Sequence, residues 1–253
     1  MIITSKQNPL ILHIKKLQID KGYRAKNNQY ILENPKNIAD ILATYPHLVF
    51  QIIHSIPLTL SCSAPTQEVS SQVMEHASTL KNPPGVLAII THIAPMIPIT
   101  SHPNIWVLDQ VSDPSNIGAI IRNAVAFNIK AILFTAGSAD PTHPKSVQAS
   151  AGQVHQIACY TCTQDLWKTQ IMPNFQVITL DTNASIPLSQ LTQNGPTAFV
   201  FGSEGEGIVT DYILNSPRTN IYIPMTPNID SLNVATTSGI IGYYLFKPFI
   251  SLQ

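Results

Sequence analysis

Charge is what this chain has least of. Asp, Glu, Lys and Arg make up 11% of its 253 residues, against about 25% in an ordinary soluble protein. The formal net charge is zero, which taken alone argues against a nucleic-acid binder. Cysteine is nearly as scarce. Three residues, an odd number in a chain this long, make no disulfide framework. No apolar run reaches the roughly 18 residues that cross a bilayer. The opening Met-Ile-Ile-Thr-Ser-Lys has no signal-peptide core, so a cytoplasmic protein without a membrane partner is expected. Internal repeats and low-complexity tracts are absent too. What is present is 44% hydrophobic residues, enough for real cores under a surface rich in Ser, Thr, Asn and Gln. The length holds one large or two modest domains, and two are expected.

The few charges are unevenly placed. Residues 1–36 carry Lys6, Lys15, Lys16, Lys21, Arg24, Lys26 and Lys36 against Asp20 and Glu33, seven against two, so the rest of the chain is net acidic. Lys6, Lys15, Lys16, Arg24 and Lys26 can supply a local phosphate-attracting field without a high isoelectric point. A solvated helix face is the plain alternative.

Leu10, Ile11, Ile14 and Leu17 recur at helical spacing, which predicts a basic amphipathic helix over 8–20. Strands are expected at Gln29–Leu32, Leu48–Ile53, Leu58–Ser61 and Gly85–Ile90, with helices over Pro35–Ala43 and Gln67–Lys81. This small α/β domain spans 1–92. The Pro-bearing, aperiodic stretch 93–103 reads as a linker. From 104 to 253 strand and helix alternate, as an open parallel sheet with helices on both faces requires. No metal site is expected: Cys159 and Cys162 have ligand spacing but no second pair, and the eight histidines show no ligand or triad pattern.

Three polar loops follow apolar strands in this second part, and strand-end loops at one edge of a parallel sheet make a ligand site the default expectation. The first runs from Asp113 to Gly118, with Asp113, Ser115 and Asn116 where a helix needs capping oxygens. Beyond it Arg122 lies four residues after Gly118 on the same helix face, though a surface arginine beside a weak helix residue would look the same. The second, Gly202-Ser-Glu-Gly-Glu-Gly207, offers backbone that a ligand can approach, or a solvated turn. Its G-x-x-G-x-G spacing is not the dinucleotide fingerprint, which removes a nucleotide-binding oxidoreductase. The third runs from Ile223 past Ser231, Leu232 and Asn233 to a last helix. There Ala235, Ser238, Gly239 and Gly242 form a stripe of small residues, suited to close helix packing within the chain or across a dimer.

Together, Asn116-Ile-Gly118 with Arg122, Gly202-Ser-Glu-Gly205 with Gly207, and Ile223-Pro-Met225 with Ser231-Leu-Asn-Val234 resemble the three motifs of the SpoU/TrmH family of RNA ribose 2'-O-methyltransferases, within the SPOUT superfamily. Ser150-Ala-Gly152 extends the match. The segments from Ile3 to Pro9, from Ile31 to Glu33 and from Gly85 to Ala88 resemble the ribosomal-protein-like substrate-binding domain of many members. The sequence departs from the usual pattern at Asn34, Gln148, Pro227 and Ala235.

The resemblance implies a parallel-sheet methyltransferase domain with a trefoil knot, preceded by a small RNA-binding α/β domain, and a homodimer. It implies S-adenosylmethionine held mainly by backbone groups near Leu180, Phe201, Gly202, Gly207, Ile223, Met225, Leu232 and Asn233. Arg122 takes the central catalytic place, with Asn116, Glu204, Ser231 and Asn233 around it. The expected reaction is ribose 2'-O-methylation of structured RNA, with 23S rRNA favoured by the extra domain. Transfer RNA, or an RNA-binding protein that has lost catalysis, are the alternatives.

Overall fold

Asn8-Pro9, Asn34-Pro35 and Asp113-Pro114 repeat one local device, a side-chain oxygen that caps orphan N–H groups followed by proline at the first helical position. In the computed structural model each starts a helix: Asn8 accepts from Leu10, Asn34 from Lys36 and Asn37, and Asp113 from Ser115. The structure describes residues 1–58, 63–93, 95–226 and 228–250, apart from the side chains of 247–250. Most of the expected strand Leu58–Ser61, together with Cys62 and Pro227, lies outside the described residues.

The chain divides into two compact units, Met1–Ala94 with Asp140–His155, and Pro95–Ala139 with Gln156–Gln253. The first contains, in chain order, α1 (Pro9–Ile19), α2 (Lys21–Asn27), β1 (Gln29–Leu32), α3 (Pro35–Thr44), β2 (Val49–His54), β3 (Thr66–Glu68), α4 (Ser71–Ala77) and β4 (Val86–Thr91). The sheet order is β1-β4-β2-β3, with β3 parallel to β2 and the other pairs antiparallel. Ile11, Ile14 and Leu17 of α1 pack with Val73 and Met74 of α4 and with Ile31, Leu87 and Ile89 of the sheet.

The helix expected over Gln67–Lys81 needs correction. Thr66–Glu68 is an edge strand, and the helix starts only at Ser71, where the Ser70 side chain caps Val73. A polar edge strand has no buried face to impose a period on its sequence.

The first unit also holds residues 140–155, which the sequence had grouped with the second domain. Arg24 supplies one reason. Its Nε and Nη2 donate to Asp140 Oδ2 at 2.9 and 2.6 Å, and its Nη1 donates to the carbonyls of Leu17 and Gln18 at 2.9 and 3.3 Å. Burial pushes the Asp140 carboxyl up, yet hydrogen bonds from Thr142 and Arg24 outweigh it and hold the group below its ordinary value. Arg24 is 3% exposed. It is therefore a structural anchor, a correction to its expected role on an RNA surface. Removing one partner leaves the other charge buried, so Arg24→Ala should cost about 3–5 kcal/mol in urea unfolding. A loss below about 1 kcal/mol would match a surface ion pair instead.

Ser150-Ala-Gly152 ends the short helix Pro144–Ala149, α6 in chain order. Ala151 and Gly152 take positive φ of 53° and 78°, and the Gly152 N–H closes on the Val147 carbonyl at 2.9 Å. A Cβ on Gly152 would lie 2.8 Å from Leu32 Cδ1, so glycine answers both the turn and the packing.

In the second unit β5 (Asn104–Leu108), β6 (Ala131–Phe134), β7 (Ala158–Thr161), β8 (Gln176–Leu180), β9 (Ile186–Pro187), β10 (Thr197–Phe201) and β11 (Thr219–Tyr222) form one parallel sheet, ordered β7-β6-β5-β10-β8-β11-β9. The expected parallel α/β architecture is present. Strand order runs outward from β5 to β7, then resumes on the other side with β10 inserted between β5 and β8. The register Phe201↔Leu108 ends β10 and β5 together. Such a reversal point opens a crevice at the carboxyl ends of the strands.

Two helices flank that edge, α5 (Pro114–Ala126) and, after the short α7 (Gln164–Leu166) and α8 (Asp211–Leu214), α9 (Val234–Ile250). The small-residue stripe of α9 is used within the chain. Asn123 Nδ2 donates to the Ala235 carbonyl at 2.8 Å and to Ser238 Oγ at 2.9 Å, and a Cβ on Gly242 would fall 2.3 Å from Phe127 Cδ2. Among the described residues no helix is long and apolar enough to cross a membrane.

Candidate active site

Beyond the carboxyl ends of β8, β10 and β11 lies a cavity of about 430 Å³, within the usual size for a small-molecule site. Seven residues proposed from sequence for the cofactor stand in its wall: Leu180, Phe201, Gly202, Gly207, Ile223, Met225 and Leu232. Glu204 and Ser231 line it as well, while Asn233 does not. The sequence reading missed Asp181 and Thr182 after β8, and Arg218 and Asn220 at the start of β11. A turn signal was available at the first pair. Asp181 accepts the Asn183 N–H at 2.8 Å through Oδ1, the aspartate chemistry that marks a fourth strand-end loop.

The glycines of the second loop serve its own fold first. Ser203 and Gly207 exchange backbone hydrogen bonds, N–H to carbonyl, at 2.9 and 3.1 Å. That closure brings the main chain of Gly207 and Ile208 across Gly202, where a Cβ would sit 2.2 Å from the Gly207 carbonyl carbon. Gly207 turns with φ of 69°. The bareness of Gly202 is thus demanded by backbone crossing backbone.

Beside the cavity three of the expected catalytic residues meet. Asn116 Nδ2 donates to Glu204 Oε1 at 3.0 Å. Asn233 Nδ2 donates to Asn116 Oδ1 at 3.1 Å and also to Glu204 Oε1. Asn233 Oδ1 meanwhile accepts the N–H groups of Ala235 and Thr236 at 2.9 and 3.3 Å, capping α9. One amide therefore locks the start of α9 to the second loop, and Asn116 locks the start of α5 to both. Ala235 contributes its backbone here, through its N–H to Asn233 and its carbonyl to Asn123.

Arg122 is not gathered into this network. It is exposed on α5, outside the cavity wall, and among the described residues the ion pair found is that of Arg24 with Asp140. In the first unit Lys6, Lys16 and Lys26 are exposed and Lys15 half-buried; the Lys16 ammonium lies 5.5 Å from the centre of the Tyr23 ring.

Cavity electrostatics favour a cation. Asp181, Glu204, Glu206 and Asp230 face it against the single guanidinium of Arg218. A pyrophosphate-bearing dinucleotide would meet net repulsion there, whereas a ligand with more positive than negative groups is attracted. Elsewhere, Cys162 is buried and its thiol is pushed up to about 12 by that burial. Such a thiol is a poor nucleophile and metal ligand.

Residues 103–243 match the model of the SpoU rRNA Methylase family. The chain belongs to that family, and is by membership an RNA methyltransferase. Over 95% of its length it is 30% identical to an uncharacterized tRNA/rRNA methyltransferase of Synechocystis sp., covering 92% of that protein. It is 25% identical to the 23S rRNA (guanosine(2553)-2'-O)-methyltransferase RlmP of Bacillus subtilis, over 96% of this chain and 98% of the relative. Among solved structures, the AdoMet-bound rRNA methyltransferase of Sinorhizobium meliloti superposes with a TM-score of 0.83 at 23% identity, covering 98% of each chain. The SpoU methyltransferase AviRb of Streptomyces viridochromogenes gives 0.82 at 18% identity, over 97% of this chain and 99% of the other. These structural likenesses establish the fold.

Proposed function

We propose that the protein transfers a methyl group from S-adenosylmethionine to a ribose 2'-hydroxyl of structured RNA, with 23S rRNA as the substrate. The observation that carries this is the cavity at the strand ends, lined by four carboxylates and one guanidinium and bounded by a loop in which Gly202 has no room for a Cβ. S-adenosylmethionine bears a sulfonium and an ammonium against one carboxylate, which suits that wall, with Arg218 the available partner for the carboxylate. RlmP, matched along nearly its whole length, methylates a 23S rRNA 2'-oxygen by its name, and the lysines of the first unit supply a phosphate-binding surface. The full reading includes a carboxyl-terminal trefoil knot, a homodimer with its interface beside the knot, and a cytoplasmic location.

When bound, the cofactor supplies an electrophilic methyl group. The protein's part is to bring the 2'-oxygen into line with it, since proximity alone can lower a barrier by roughly 7–11 kcal/mol, and to help the hydroxyl lose its proton. Arg122 is a poor base because a guanidinium stays protonated far above neutral pH. Its exposed position suits another role. It clamps the RNA phosphate beside the target ribose, that phosphate takes the proton, and the guanidinium stabilises the charge developing on the 2'-oxygen. Asn116, Glu204 and Asn233 hold the second and third loops in register, and Ser231 contacts ribose or cofactor from the cavity rim.

Calorimetry with S-adenosylmethionine, followed by tritiated-methyl transfer to rRNA and tRNA, tests the reading. Saturable cofactor binding and label on 23S rRNA are expected, and ribose-methylation mapping in a deletion strain should show one lost site. Label confined to tRNA would move the substrate. RNA binding without cofactor binding would leave only a non-catalytic relative of the enzymes.

A further inference from the structure

Asp109 was not singled out by any motif, yet it holds the second loop at both ends. It follows directly on β5 and is 0% exposed. Its N–H donates to the Phe201 carbonyl at 2.8 Å, where β10 gives way to the loop. Its Oδ2 accepts the N–H groups of Val209 and Thr210 at 2.8 and 3.0 Å, where the loop ends. Its Oδ1 accepts the hydroxyl of Thr210, and that of Thr135 at 2.9 Å. Between these fixed ends lie Gly202, Glu204, Gly207 and Ile208, all in the cavity wall.

A buried carboxylate is tolerated only when its lone pairs are filled, and four side-chain bonds fill these. The arrangement favours a charged carboxylate: Oδ2 faces two backbone N–H groups, which can only donate, and asparagine could keep those bonds only by losing the charge that strengthens them and by making the Thr135 and Thr210 hydroxyls rotate to accept its N–H₂. The next residue points the same way. Gln110 is held at φ of 53°, its N–H bonded to Thr135 Oγ1 at 3.0 Å, and a strained non-glycine residue persists only where its surroundings over-determine it.

We propose that Asp109 is a positioning residue for the cofactor. By fixing both ends of the glycine loop against β5 and Thr135, it sets the affinity for S-adenosylmethionine without touching the reacting atoms. This rests on the functional reading above.

The test is Asp109→Asn in the full-length protein, with Thr210→Val and Thr210→Ser as a second pair should the first variant fail to fold. Calorimetry should show S-adenosylmethionine affinity lowered about tenfold in Asp109→Asn and about threefold in Thr210→Val, as expected for lost charge-assisted hydrogen bonds. Thr210→Ser, which keeps the hydroxyl, should return to the parent value. At saturating cofactor kcat and the KM for RNA should stay close to parental, and amide exchange of a peptide covering 201–214 should quicken in the cofactor-free protein. Unchanged affinity in Asp109→Asn overturns the proposal, whether loop exchange quickens or not, and so does a fall in kcat at unchanged affinity. If Asp109→Asn fails to fold, equal affinities for Thr210→Val and Thr210→Ser overturn it. A parent protein that does not bind S-adenosylmethionine defeats the functional reading itself, and the cofactor role of Asp109 falls with it. The exchange measurement then still reports whether Asp109 holds the loop.

Discussion

Arg122→Lys should lower methyl transfer by a factor on the order of 10²–10³, the usual cost of removing a group that stabilises charge in the transition state. The substitution keeps the charge and little else. A guanidinium presents a planar fork that can grip a phosphate with two parallel bonds and still address a neighbouring oxygen, while an ammonium is a compact point charge. Because Arg122 is exposed and outside the cavity wall, cofactor affinity should be unchanged and the loss should fall on kcat. Tritiated-methyl assays at saturating RNA, with calorimetry on the same preparation, separate the two. Turnover within about threefold of the parent would remove Arg122 from a charge-stabilising role.

The sequence disclosed the cavity wall better than it disclosed the residues behind it. Gly202, Gly207, Ile223, Met225 and Leu232 were legible through the motifs that resemble those of the family, which carry the cofactor assignment; turn chemistry alone marked only loops after strands. The helix start at Asp113 was legible locally, from capping oxygens followed by proline. Arg24 was not, since what buries it is Asp140, 116 residues further on, and a lysine-rich neighbourhood made it look like one more surface cation. Asp109 was equally hidden: it falls within the strand that the sequence predicts over Ile105–Val111, and only the returning chain at Val209 and Thr210 reveals its partners. The stripe on α9 had two readings, and Asn123 on α5 and Phe127 just after it occupy it.

Gly202→Ala should weaken cofactor binding by about one to two orders of magnitude. The added Cβ would meet the carbonyl carbon and oxygen of Gly207 at 2.2 and 2.4 Å and the Ile208 nitrogen at 2.5 Å. These are backbone atoms, so no rotamer change relieves the clash and the cavity wall itself must move. Overpacking of this kind costs about 1–3 kcal/mol, and spent on the ligand-binding geometry it corresponds to roughly 10- to 100-fold weaker binding. An affinity equal to the parent's would mean that the loop adjusts freely and is not a rigid wall. Paired with Arg122→Lys, the variant also tests which cavity Arg122 serves. In a homodimer, co-folded subunits carrying one substitution each would put an intact Arg122 and an intact cavity on different chains. If Arg122 acts on its partner's cavity, the mixture should recover about a quarter of parental activity, half the dimers being mixed with one competent site apiece. If it acts on its own, the mixture should be no better than the two variants apart, and the RNA itself must bridge Arg122 to the cavity of the same chain.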